Sequence, residues 1–486
     1  MTRLCIVISG PSSDDVRDQI HRAKLSADIL EFRIDLFDFQ TLEQISQLQA
    51  EANLPVIFTL RKESQGGNNR GRETLRLEFL KQLATLHPAF MDIEAEVPPS
   101  FFEELATISP ITKLICSWHD WERTPDDLDT LLASMKRPKA NCYKIATTAH
   151  STVDALRMLK FVQQKTKLGC SLIGICMGEE GQSTRILGPI FGSLMTFAVL
   201  DAQKKVAPGQ LTADELLNIY RLRSISSHTQ IYGLIGDPIS SSRSHLTHND
   251  TMHKMDLDAV YIKMRVEAAE LHPCLSLCSQ LGFQGLSVTM PHKESIFPEP
   301  INTLLFTNGD MQGHNTDGSA ALELLQERIP DLHNKTVVIL GAGGTAQAIA
   351  QQLSQHGVAL IFANRTLYKA QQLAQSYGGE AFSLDQFESI AKAEYDILIN
   401  CTSVGMNAPD DSPICPSHLL QGALILDCVS SPEETCLIQA AKKRSCDIIP
   451  GTALFARQAT KQFALWFGKS IEKDVYCHIC EKIKHG

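Results

Sequence analysis

Asn141-Cys142-Tyr143-Lys144-Ile145-Ala146 is an apolar, strand-like run with one lysine in its middle. Runs of the same kind lie around it, at 4–9, 28–34, 55–60, 90–94, 113–118, 171–176 and 196–200. Val, Ile and Leu dominate them, as expected for parallel strands buried on both faces. Most intervals leave room for an amphipathic helix. Eight β/α units in this span predict an α/β fold, a (β/α)8 TIM barrel over residues 1–223.

Beyond the barrel, Thr212-Ala-Asp-Glu215 has a capping-box pattern and predicts an amphipathic helix. The small polar stretch 224–229 reads as a linker. A second βα series opens at Ile231-Tyr-Gly-Leu-Ile-Gly236 and fills a lobe over 230–333. A third region, 334–450, places strands at 336–340, 359–363, 396–400 and 424–427, the doubly wound pattern of a nucleotide-binding domain. The segment 451–486 reads as helix.

The net charge of −10, without a long basic run, argues against a nucleic-acid partner, because phosphate backbones need a basic surface. The N-terminus turns at once into a strand-like run and meets Asp14 and Asp15, so no targeting segment is expected. No apolar stretch is long enough to span a bilayer. The fourteen cysteines are scattered and mostly lie in apolar runs, which suits reduced core thiols of a cytoplasmic protein. Cys477-His-Ile-Cys480 has metal-knuckle spacing without a second pair nearby and reads as the buried side of a terminal helix.

The polar residues of the barrel fall at strand ends. Glu31 and Arg33 lie on the second strand, Arg61 ends the third, His119 ends the fifth, and Lys144 is on the sixth. Arg185 and Gln210 fall in the loops after strands seven and eight. Strand C-terminal ends of such a barrel converge on one face, so these residues become one cluster. A lysine there is either a paired structural charge or a desolvated amine that attacks a carbonyl. His119 favours the second reading, since an imidazole beside an imine removes an α-proton while the iminium accepts electrons.

Glu31-Phe-Arg33-Ile-Asp35, Thr59-Leu-Arg61, Ser117-Trp-His119-Asp120, Lys144 and Ala207-Pro-Gly-Gln210 together resemble type I 3-dehydroquinate dehydratase, over residues 1 to 222. The resemblance implies an imine on Lys144, His119 as general acid/base, and Glu31, Arg33, Arg61, Arg185 and Gln210 as substrate ligands. Gln65 stands where that family usually has glutamate, and Val206 where it usually has serine.

In the third region, Gly341-Ala342-Gly343-Gly344-Thr345-Ala346 follows a strand and opens a helix, so its amides can receive a pyrophosphate. The next strand ends in Asn364-Arg365-Thr366 and carries no carboxylate for a ribose hydroxyl. Arg365 and Lys369 stand where a 2′-phosphate would sit, which favours NADP(H) over NAD. Upstream, Lys293 and Asp317 form a pair able to shuttle a proton to an alkoxide.

Tyr232-Gly-Leu-Ile-Gly236-Asp-Pro, Ser242-Arg-Ser244, Ser287-Val-Thr289-Met-Pro-His-Lys293, Asn315-Thr-Asp317-Gly318 and Asn400-Cys-Thr-Ser403-Val-Gly405-Met406 resemble shikimate dehydrogenase, over 230–486. The resemblance implies Lys293 and Asp317 as the catalytic pair and Ser242, Ser244, Thr289, Asn302 and Gln458 as ligands of shikimate. It also makes 230–333 the substrate lobe, to which the C-terminal helices return. His245 replaces the usual proline and Ser430 a common tyrosine. The two halves are then consecutive, the first making the ketone that the second reduces, with no metal required. An aldolase-like barrel with another NADP dehydrogenase, or a catalytically impaired regulator that binds the intermediates, would be the alternatives.

Overall fold

The computed structural model describes residues 3–39, 41–307, 309–392, 394–406, 408, 410–469 and 473–485. The chain forms two compact units, Met1–Tyr232 with Asp256–Phe283, and Gly233–Met255 with Gln284–Gly486.

The first unit is built on β1 (Arg3–Ile8), β2 (Ile29–Arg33), β3 (Val56–Thr59), β4 (Phe90–Glu94), β5 (Lys113–His119), β6 (Ala140–Thr148), β7 (Leu172–Met177) and β8 (Met195–Val199). They pair in the order β7-β6-β5-β4-β3-β2-β1-β8. The Leu194 N–H donates to Leu172 O at 2.9 Å, joining the two ends of this run. One buried cluster holds Cys5, Val7, Ile29, Ile57, Phe90, Ile115, Cys142, Ile173, Met195 and Phe197, with residues from every one of the eight strands. That is the filled interior of a barrel.

The period of two along each strand carries this inward face on to a polar rim. Continuing from Ile29, Ile57, Phe90, Ile115 and Cys142 in steps of two gives Glu31 and Arg33, Thr59 and Arg61, Asp92 and Glu94, Ser117 and His119, and Lys144. The barrel is apolar at the N-terminal ends of its strands and charged at the C-terminal ends. Helices with one buried stripe supply the outer layer. Thr152–Lys167, for example, buries Ala155, Leu156, Leu159 and Val162, and the Ser151 side chain caps its first turn.

One expected helix is not formed. The reciprocal bonds of Thr212-Ala-Asp-Glu215 are present: the Thr212 N–H donates to Glu215 Oε2 at 2.7 Å, and the Glu215 N–H to Thr212 Oγ1 at 3.1 Å. Only a single π turn, Glu215–Ile219, comes after them. Leu211–Thr212 (β9) pairs with β8, and Arg221 at φ 51° breaks the helical path. The first unit also contains β11 (Ala259–Arg265), which follows β10 (Gln230–Gly236), and the helix Leu271–Gln280.

In the second unit β12 (Phe283–Val288), β13 (Thr303–Thr307) and β14 (Asp310–His314) pair antiparallel. A parallel sheet comes next, of β15 (Thr336–Leu340), β16 (Ala359–Asn364), β17 (Glu380–Ser383), β18 (Ile397–Asn400), β19 (Leu424–Asp427) and β20 (Asp447–Ile449). Its order is β17-β16-β15-β18-β19-β20. Val337 and Ile339 feed the core on one face, and Val338 and Leu340 the core on the other. The strand order reverses between β15 and β18, and such switch points open the crevice that receives dinucleotides. The last helices are Gly451–Phe467 and Lys473–His485. Cys480 packs beside Ala456, Val475 and Ile479, but Cys477 is exposed, so that pair does not share a buried side.

Candidate active sites

At the C-terminal end of the barrel, Lys144 is 6 % exposed and held by carboxylates. Its Nζ donates to Asp92 Oδ2 at 3.0 Å and lies 3.5 Å from Glu31 Oε1. The Phe197 ring covers it, with its centroid 4.2 Å away. Arg61 Nη2 sits 2.8 Å from Asp92 Oδ1, and Arg61 Nη1 donates to Ser117 Oγ at 2.8 Å. Burial alone would raise the Asp92 carboxyl, but Arg61 and then Lys144 hold it well below the usual carboxylate range. Asp92 and Glu94 were not among the sequence-derived candidates. Their signal is Phe90-Met-Asp92-Ile-Glu94, where two carboxylates follow the inward-facing Phe90 at strand spacing.

His119 stands two residues beyond Ser117, which pairs with Lys144 across β5 and β6. Burial first, then Arg61 and Lys144, push its imidazole well below the ordinary histidine range. It therefore stays neutral. Gln65 Nε2 donates to Glu96 Oε1 at 2.7 Å, which fixes that amide beside the histidine.

Arg33 is tied to Asp35 by two bonds of 2.9 and 2.8 Å. Gln210 Oε1 accepts from the Val206 and Ala207 N–H groups at 2.7 and 3.1 Å, so it shapes its own loop. Arg185 differs from both. It lies on the short helix Gln182–Leu187 rather than in a loop, 3 % exposed, with Nε unpartnered and no ion pair among the described residues. Glu31, Arg33, Arg61, His119, Lys144, Arg185 and Gln210 all line one small cavity of about 60 Å³. A buried cation without a counter-ion at its wall suits a carboxylate ligand.

The second unit holds a cleft of about 710 Å³. Lys293 Nζ donates to Asp317 Oδ2 at 2.5 Å and to Thr345 Oγ1 at 3.1 Å. Asn302 Nδ2 donates to the other Asp317 oxygen at 2.8 Å. Ser242, Ser244, Thr289 and Gln458 line the same cleft, with Ser242 Oγ 3.0 Å from Ser244 Oγ. Thr345, read from sequence as a cofactor-binding residue of the turn, bridges the Lys293/Asp317 pair. Gln462 was missed: it lies one helical turn beyond Gln458 and accepts from Ser287 Oγ at 3.1 Å.

Gly343, Gly344 and Thr345 border this cleft from the glycine-rich turn. Gly341 has φ 99°, a conformation that favours glycine, and its N–H donates to Ala363 O at 2.9 Å. A Cβ on Gly343 would meet nothing within 4 Å, so the turn is open above the helix Gly344–Leu353. Ala342 and Ala346 pack into the core beneath. Asn364 Nδ2 donates to Thr366 O at 2.9 Å, which shapes the turn after β16. Arg365 and Lys369 are exposed and make no ion pair among the described residues. Two free cations beyond the second strand, with no carboxylate between, fit a 2′-phosphorylated dinucleotide.

Comparison with known proteins matches three stretches of the chain to families. Residues 4–227 match the family described as Type I 3-dehydroquinase, 234–300 the shikimate dehydrogenase substrate binding domain, and 323–408 the shikimate / quinate 5-dehydrogenase family. The bifunctional 3-dehydroquinate dehydratase/shikimate dehydrogenase of Arabidopsis thaliana, a chloroplastic protein, is 33 % identical over 99 % of this chain and 84 % of its own length. The shikimate biosynthesis protein AroDE of Chlamydia pneumoniae is 34 % identical over 96 % of this chain and 95 % of its own. The chain belongs to the bifunctional 3-dehydroquinate dehydratase/shikimate dehydrogenase family. A shikimate dehydrogenase structure from Aquifex aeolicus aligns with 54 % of the chain and 100 % of its own length, at 28 % identity and a TM-score of 0.50. Within this bifunctional dehydratase/dehydrogenase the departures line the sites: Gln65 and Val206 the barrel cavity, Ser430 the cleft. His245 lies in the helix Ser244–Lys254 beside it.

Proposed function

We propose that the barrel dehydrates 3-dehydroquinate to 3-dehydroshikimate through an imine on Lys144, and that the second unit reduces 3-dehydroshikimate to shikimate with NADPH. The observation that carries this reading is the pair of juxtapositions within one chain. Neutral His119 and buried Lys144 share a cavity with an unpaired arginine, and Lys293 and Asp317 meet at 2.5 Å in a cleft bordered by the glycine-rich turn.

In the barrel, Lys144 attacks the substrate ketone after giving up its proton, with Glu31 as the neighbouring acceptor. His119 removes the α-proton and returns it to the departing hydroxyl. Arg61 is committed to Asp92, so Arg185 receives the substrate carboxylate. In the cleft, Lys293 hands a proton to the alkoxide that forms as the ketone is reduced, and Asp317 holds the ammonium in place. Asn302 and Thr345 orient Asp317, while Ser242, Ser244, Thr289 and Gln458 hold the ring hydroxyls and carboxylate. Residues 341–346, with Arg365 and Lys369 for a 2′-phosphate, would hold NADPH, which would supply the hydride when bound.

The partners on this reading are small molecules, not nucleic acid or a membrane. Among the described residues no helix is long and apolar enough to cross one. A cytoplasmic setting agrees with cysteines that form no disulfide among the described residues. The test supplies 3-dehydroquinate and NADPH together, then 3-dehydroshikimate and NADPH. Loss of NADPH absorbance in both supports two coupled activities; loss only with 3-dehydroshikimate, or with neither, refutes them.

A further inference from the structure

Cys401 and Cys428 come directly after the last residues of β18 and β19, whose Asn400 and Asp427 are register partners. The Cys428 N–H donates to Asn400 O at 2.9 Å, so the two cysteines stand side by side at the C-terminal edge of the sheet. Their sulfurs are 3.8 Å apart. Both are unpaired, partly buried, and line the cleft. Cys401 also lies against the nucleotide turn: a Cβ on Gly341 would come within 3.2 Å of the Cys401 carbonyl. Cys274 and Cys278, also neighbours, are sealed in the core.

The separation decides what this pair suits. A disulfide requires about 2.05 Å between sulfurs, which this pair exceeds, so the two stand as separate thiols. A single soft pyramidal atom bonded to both sulfurs at about 2.3 Å, with an angle of about 100°, holds them about 3.5 Å apart, within a small thiol rotation of the observed separation. No group of three or more His, Cys, Asp or Glu among the described residues could hold a metal ion, so the centre must bring its remaining substituent with it.

We propose that Cys401 and Cys428 form a dithiol site for a soft trivalent centre carrying one fixed substituent, an organoarsenical, and that filling it excludes the dinucleotide from the Gly341 turn. The step is a condensation. One arsenic–oxygen double bond is lost, two arsenic–sulfur bonds form, both thiol protons leave with the oxygen as water, and arsenic stays trivalent. The hydrogen bond shared with Cys401, and then burial, raise the Cys428 thiol, so it carries the proton that the condensation removes.

The experiment uses the full chain and phenylarsine oxide. One phenylarsenic per chain is expected by intact mass, with loss of dehydrogenase activity at near-stoichiometric reagent and retention of dehydratase activity in the same sample. The adduct should disappear in Cys401→Ser and in Cys428→Ser, each compared with its own untreated rate, and NADP+ should slow its formation at least tenfold. An adduct that survives either substitution, or forms equally fast with NADP+, overturns the proposal. The competition arm rests on the proposed function, but the mass arm does not. A chain inactive with NADPH before treatment would fail the former reading and leave the dithiol to be judged by mass alone.

Discussion

Gln65 Oε1 accepts a hydrogen bond from the His119 backbone N–H at 3.0 Å and lies 3.2 Å from Nδ1 of the same residue. A backbone N–H only donates, and Glu96 only accepts from the amide nitrogen, so the oxygen must face the ring. Nδ1 therefore carries the proton, and Nε2 keeps the free lone pair that the proposed base role needs. A glutamate at 65 would instead favour the imidazolium.

The dehydratase kcat/KM is therefore expected to hold steady as pH falls through about 6.5, the ordinary histidine value, because His119 is already neutral there. In Gln65→Glu the acid limb should rise toward that value. A pH–rate profile of both proteins checks this, and identical limbs would argue against the contact.

Borohydride with 3-dehydroquinate should label the protein, and Lys144→Met should abolish both label and dehydratase turnover. Labelling that survives the substitution would put the imine elsewhere.

Asp92→Asn tests the other side of that ion pair. It leaves Arg61 and Lys144 buried without their shared counter-ion, which should cost roughly 3–5 kcal/mol in chemical unfolding of the barrel. Glu388→Gln, in an exposed pair with Lys392, should leave the unfolding midpoint where it is.

Asp317→Asn and Lys293→Met should each lower the dehydrogenase kcat by about 10²–10⁴-fold while the dehydratase in the same preparation keeps its rate. Arg365→Ala should raise KM for NADPH by about ten- to a hundredfold, the worth of a charge-assisted hydrogen bond, with little effect on NADH. Equal effects on both cofactors would remove Arg365 from the phosphate.

Burial holds His248 down at about 4, against about 6.5 in the unfolded chain. The folded state then binds fewer protons between these values, so stability is complete above about pH 6.5 and declines as pH falls toward 4, by roughly 3 kcal/mol in all. The midpoint temperature should drop between pH 7 and 5, and the slope should be shallower in His248→Gln.

The barrel was legible because its strands are buried on both faces, which leaves continuous apolar runs, and because Lys144 interrupts one of those runs while His119 and Arg61 mark the ends of two others. β17 and β20 were not, since these edge strands are only four and three residues long and partly exposed. The charge balance was the harder part. Arg33, Arg61 and Arg185 look alike in sequence, and only packing shows that Asp35 and Asp92 neutralise the first two. Likewise the capping pattern at Thr212 is real, but a short strand and a left-handed residue stop the helix that it announces.

Arg185 has a consequence for the resting protein. Its burial lowers the guanidinium to about 10, the mark of a charge the interior has not balanced. The barrel is thus folded with one electrostatic position left open, which on the proposed function the substrate carboxylate fills. Occupancy and stability would then be one equilibrium: the dehydratase half would be weakest between turnovers, and an anion of the right shape would act as part of its core.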